Sequence, residues 1–224
     1  MSAQKPTVTL REATLADVPA MVDAYFDGFF GSPLTVRCFP PDEPEVRAYW
    51  TKRVEGNIGL PGNHIVVAVS PDDPASSSGP GPGPGPGILG WVRWVRCPEG
   101  PPPKHPLALT PAMYPSSGDG AAAARFFQAA GDAAVRYVAG REYWLLSTIL
   151  TRRDAQRRGV GAALMNFGVE RIDKDGWMAY TNASKAGRPL YERFGFKVVG
   201  QSWFDELGLD MFHMVRDPKA VIGA

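Results

Sequence analysis

The chain has 224 residues, 44% of them hydrophobic, enough to bury one good core and to fold as a single domain over residues 1–224. Its 24 lysines and arginines against 23 aspartates and glutamates leave a net charge of +1, so the balance points neither to nucleic acid nor to an anionic membrane as partner. Cys38 and Cys97 lack metal-ligand spacing and read as reduced thiols; with no signal-peptide core at the start and no apolar run of bilayer length, the expected location is cytoplasmic.

Residues 7–11 read as a first strand. Thr14 or Asp17 caps a helix whose apolar positions include Val18, Met21, Val22, Tyr25 and Phe26. Residues 29–33 break that pattern, and a second helix is expected from about 43 to 56, with Val46, Tyr49, Trp50 and Val54 on its apolar side. Residues 64–70 and 88–95 read as the two strands of a hairpin. Between them, residues 71–87 end in four Pro-Gly pairs, a composition that buries nothing and is expected to form a disordered loop.

A second proline-rich connection, 98–120, leads into a helix over 121–140 with Ala122, Phe126, Ala130, Ala134 and Val138 on one face. A strand over 143–150 and the turn 156–161 follow. In the next helix Leu164, Gly168 and Ile172 share a face, and Asp175-Gly176 stops it. Then come a strand over 177–181, a helix that starts shortly before Pro189 and ends near Phe194, a strand over 197–199, a loop over 201–209 and a final strand over 211–216 that is expected to close the sheet. Strands alternating with helices give an α/β fold with a mixed, twisted central sheet flanked by helices.

The chemistry concentrates in Gln156-Arg157-Arg158-Gly159-Val160-Gly161-Ala162, between the strand and the helix. A helix start offers unpaired N–H groups and the positive end of the macrodipole, so this arrangement suits an anion. Gly159 and Gly161 let a phosphate approach the backbone, and two arginines add charge. A dinucleotide fingerprint would need a third glycine where Leu164 stands, and a P-loop would need Lys-Ser/Thr where Ala162-Ala163 stand. The three histidines, His64, His105 and His213, have no second ligand at close spacing, and no metal site is expected.

This turn, with Thr181-Asn182-Ala183-Ser184 and the segment from Gly187 through Tyr191 to Phe196, resembles the GNAT superfamily of acyl-CoA-dependent N-acetyltransferases, in the manner of its fungal members. The resemblance implies acetyl-CoA as acyl donor and residues 156–162 as the grip on its pyrophosphate. It further implies that backbone N–H groups near Ile149, Leu150 and Thr151, where two central strands splay, polarise the thioester carbonyl, and that Tyr191 protonates the departing thiolate. The two N-terminal helices then flank the acceptor, expected to be a small-molecule primary amine, and Trp50, Trp91 and Trp203 are candidate pocket residues. Two departures stand out: Thr151-Arg152-Arg153 replaces a frequent Val-x-Pro, and Asn182 replaces a frequent glutamate, leaving no assigned base. Asp154 and Glu142 are weighed for that role without a spacing argument. The alternatives are a CoA-binding regulator without catalysis, or another acyl-CoA-dependent reaction of specialised metabolism.

Overall fold

One sheet carries the fold. Its strands are β1 (Thr9–Glu12), β2 (Asn63–Val69), β3 (Ile88–Cys97), β4 (Tyr143–Thr151), β5 (Met178–Ala183), β6 (Lys197–Phe204) and β7 (Leu209–Arg216). They lie in the order β1-β2-β3-β4-β5-β7-β6, and the β4–β5 pair alone is parallel. Helices α1 (Val18–Gly28), α2 (Pro33–Cys38), α3 (Pro44–Glu55), α4 (Gly120–Val138), α5 (Val160–Asp175) and α6 (Arg188–Arg193) cover the sheet. The computed structural model describes residues 8–70, 87–100, 108–138 and 140–219. The Pro-Gly segment, apart from Gly87, and His105 therefore lie outside the described residues. Among the described residues no helix is long and apolar enough to cross a membrane.

Strand alternation divides the core. Ile65, Val67 and Trp91 face the layer of α1, α3 and the start of α4, whereas Val66, Val92 and Trp94 face α5 and α6. Local chemistry sets the ends of these elements. Thr14 caps a 3-10 turn, Leu15–Asp17, that leads into α1. The buried Asp17 carboxylate accepts the Thr14 N–H at 2.8 Å and both Arg11 guanidinium nitrogens at 2.7 and 2.6 Å. Burial would raise its pKa, but those hydrogen bonds hold it below the usual carboxylate range. At the other side of the sheet, Gly176 ends α5 at φ 70.

Three expectations change. Pro33, read as part of a break, begins the short helix α2 after Ser32, because proline at a first helical position costs no hydrogen bond. The loop expected over 201–209 shrinks to a turn at 205–208, because β6 runs to Phe204 and β7 starts at Leu209. The final strand does not close the sheet; β7 lies between β5 and β6, and β6 is the edge. Most of β6 is exposed, including Val198, Val199 and Trp203. It therefore lacks the alternation by which a half-buried strand is recognised.

Candidate active site

The site begins where β4 and β5 part. Their parallel pairing runs only from Tyr143↔Met178 to Leu146↔Thr181. β4 continues to Thr151, still paired with β3 as far as Gly90↔Thr151. Arg93 faces Thr148 but the next residue, Trp94, faces Leu146, so Ser147 bulges out of register. Beyond the bulge the edge of β4 that turned toward β5 has no strand beside it. The stretch Ile149–Thr151, where free amides were expected, lies here. A cavity of about 1880 Å³ fills the gap and reaches the helices on both faces.

On the α5 side the cavity meets the arginine–glycine turn. Arg157 has φ 61, the only non-glycine residue with positive φ among the described residues, and Gly159 has φ 91. An L side chain at such a φ is strained and tends to mark a functional turn. Gly159 is the N-cap, and the first helical bond ending on it is Ala163 N–H to its carbonyl. The backbone N–H groups of residues 157–162 have no acceptor among the described residues. A Cβ on Gly161 would meet only Leu190 Cδ2 at 3.3 Å and Thr151 Oγ1 at 3.7 Å. Gln156 Nε2 donates to the Thr151 carbonyl at 3.3 Å, tying the turn to the end of β4.

Not every predicted side chain points inward. Gln156, Arg157, Gly159, Gly161 and Ala162 line the cavity. Val160 is instead buried with Leu164 and Met165, anchoring the helix start, and Arg158 donates to the Asp154 carbonyl at 3.4 Å. Neither residue lines the cavity. Arg153 is held away by Asp27 of α1, through both its N–H at 2.7 Å and its Nε at 2.9 Å.

Tyr191, on α6, is 7% exposed and lines the cavity. Its hydroxyl has no hydrogen-bond partner among the described residues and is not one of the fully enclosed unpartnered atoms, so in a residue that lines the cavity it is accessible from it. Burial raises its pKa above the ordinary phenol value. Asn182 is committed differently: its Oδ1 accepts His213 Nδ1–H at 2.7 Å and the Tyr180 hydroxyl at 2.8 Å. Ser202 Oγ donates to His213 Nε2 at 2.9 Å. Burial, and then Arg136, lower the His213 pKa, so the ring is held neutral. Asp154, which pairs with Arg152, and Glu142 do not line the cavity.

On the opposite face the lining is aromatic. Tyr25, Trp50, Phe126, Phe127 and Tyr143 contribute, together with Trp91 and Trp203. Trp50 and Trp91 are core residues that also reach the cavity wall, and the exposed Trp203 lies on it too. Arg53 and Arg93 line this arm and were not anticipated. Arg93 was legible in principle, as a charged residue at an inward position between Trp91 and Trp94.

Residues 119–217, from α4 through β7, match the family described as Acetyltransferase (GNAT) domain. The seven-stranded sheet flanked by helices matches the GNAT fold of solved structures. One is a histone acetyltransferase HPA2 and related acetyltransferase from Corynebacterium glutamicum, 25% identical with a TM-score of 0.64 over 98% of this chain and 100% of that one. A second is an agmatine N-acetyltransferase variant in its apo form, 14% identical, TM-score 0.66, over 94% and 99% of the two chains. A third is the PaiA N-acetyltransferase from Thermoplasma acidophilum in complex with coenzyme A, 10% identical, TM-score 0.55, over 94% and 99%. No curated protein matches the chain by sequence. The chain is an acyltransferase.

Proposed function

We propose that this protein is an N-acetyltransferase that passes the acetyl group of acetyl-CoA to a primary amine of a small molecule by direct attack. The observation that carries the reading is the run of unpartnered amides at residues 157–162 opening onto one arm of a cavity whose other arm is aromatic. Those amides, the helix dipole and Arg157 suit a pyrophosphate, and Gln156, Arg158, Gly159, Val160, Gly161 and Ala162 shape the turn. The gap beside Ile149, Leu150 and Thr151 would admit the pantetheine arm and present β4 amides to the thioester oxygen. A concave arm walled by aromatic side chains favours a small acceptor over a protein segment.

In the reaction the amine nitrogen attacks the thioester carbonyl, the C–S bond breaks, and the thiolate takes the Tyr191 hydroxyl proton. The amine proton leaves to solvent in the open cavity. A CoA-binding protein without catalysis is the second reading, favoured by one observation: Asn182, where a carboxylate is frequent, is occupied in holding His213.

Calorimetry with CoA and a thiol-release assay with acetyl-CoA and a panel of primary amines test both. Amine-dependent thiol release is expected. Gly161→Glu should abolish CoA binding, because it sets a carboxylate among the amides, while the flexible Leu190 side chain lets the fold accept it. Unchanged CoA affinity in folded Gly161→Glu would remove the turn from the site. CoA binding with no thiol release on any amine would establish the second reading.

A further inference from the structure

The acceptor arm holds two arginines that no carboxylate pairs with among the described residues. Arg93 rises from β3 beneath the gap, its Nε donating to Asn63 Oδ1 at 2.7 Å and its Nη1 to the bulged Ser147 Oγ at 3.2 Å. Both partners are neutral. Arg53 reaches over from α3, its guanidinium 5.9 Å from the Trp50 ring centre and 5.7 Å from that of Phe127. Its one side-chain hydrogen bond is long, 3.4 Å to the Tyr49 hydroxyl. Neither has a carboxylate within 4.0 Å among the described residues. The two cations feel each other: burial, and then Arg53, bring the Arg93 pKa down to about 10.

A half-buried guanidinium such as Arg93, with a second cation beside it and no carboxylate partner, favours an anion that completes it. Of the described residues lining the cavity, Asp210 is the one carboxylate, and it accepts a hydrogen bond from Gln201. Trp50 Nε1 is the one enclosed side-chain nitrogen or oxygen without a partner among the described residues, and its ring lies 4.0 Å from that of Tyr25.

We propose that the acceptor arm selects amines that also bear a carboxylate, with Arg53 and Arg93 binding that carboxylate and Tyr25, Trp50 and Phe127 enclosing an apolar or aromatic side chain. The acceptor class is therefore an aromatic or apolar amino acid, or a close relative, rather than a polyamine or a lysine-rich segment. A guanidinium fork fits a carboxylate with paired hydrogen bonds, and like charge turns away a polycation. The proposal rests on the reading of the protein as an N-acetyltransferase, but the binding subsite stands apart from turnover.

The test separates the two by pairing a rate with a binding measurement. Phenylalanine, its methyl ester, phenethylamine and putrescine are compared as acceptors by thiol release and, with the CoA-bound protein, by calorimetry. The free acid should exceed the ester and phenethylamine in kcat/KM by roughly 10- to 100-fold, the usual worth of charged hydrogen bonds. Putrescine should be poorest. Arg93→Met should remove that preference through KM. Because Arg93 also holds Ser147, Arg53→Met, on an exposed helix position, provides a variant that keeps the bulge and should remove part of the preference. Binding of phenylalanine that depends on both arginines, without turnover, would uphold the subsite and refute acetyl transfer. Turnover of phenethylamine or putrescine equal to that of phenylalanine would overturn the subsite and leave acetyl transfer standing. Failure of phenylalanine to bind at all would overturn it too.

Discussion

Tyr191 combines two environments: a ring packed 6.2 Å from Phe196 and a hydroxyl open to the cavity. A packed ring holds the phenol in place, and burial keeps it protonated. Tyr191→Phe retains the packing and deletes the proton. Turnover should fall about 100-fold or more, as for other lost general acids, while CoA affinity in calorimetry stays within a few-fold. The raised pKa has a sign. The neutral acid persists above the ordinary phenol range, so the wild-type rate should hold to about pH 10 before any Tyr191-dependent decline. A decline near pH 8 that disappears in Tyr191→Phe would contradict the burial argument; an unchanged rate would make Tyr191 a packing residue only. The segment from Gly187 to Phe196 was legible as a short proline-started helix because Pro189 and Gly195 mark its ends. That Arg158 and Val160 turn from the cavity was not legible, since motif spacing orders residues along the chain and says nothing of side-chain direction.

At the scale of the element, α5 lies against the sheet through Gly168. A Cβ there would come within 2.1 Å of Trp94 Cε2, and Trp94 Nε1 donates to the Leu164 carbonyl at 3.4 Å. Periodicity placed Gly168 on the buried face; only the packing explains why that position has no side chain. Gly168→Ala must push the helix off the indole or rotate the indole away. A loss of about 1–3 kcal/mol is expected from overpacking, seen as a melting temperature lower by roughly 3–10 °C. Since α5 carries the turn at its other end, CoA affinity should weaken as well. Equal melting temperatures would show that the helix shifts without cost. The strands β2, β3 and β4 read clearly because both their faces are covered, whereas β6, exposed along most of its length, was cut short. Burial is what writes a strand into a sequence.

For the whole molecule, the cavity spans the two core layers, so a ligand in it touches elements from both. CoA should therefore act as a brace between β4 and α5, and binding to the folded state alone raises stability by mass action. At about 100-fold over its dissociation constant CoA should add about 2.7 kcal/mol, a rise of roughly 5–10 °C in melting temperature. Pantetheine, which lacks the pyrophosphate, should give a much smaller rise at the same concentration. Equal shifts for the two would mean that the turn at 157–162 contributes nothing to binding.

The sequence by itself determined the order of strands and helices, the arginine–glycine turn before α5 and the α/β class, because hydrophobic period, helix caps and glycine placement are local properties of the chain. Tertiary structure alone decided that β7 inserts between β5 and β6 and that β4 outruns its partner. It also decided that Arg53, from the helix at 44–55, and Arg93, from the strand at 88–97, face one cavity. Strand pairing and the meeting of distant side chains depend on which surfaces are buried together, and that free energy belongs to the assembled sheet and its two helical layers rather than to any one segment.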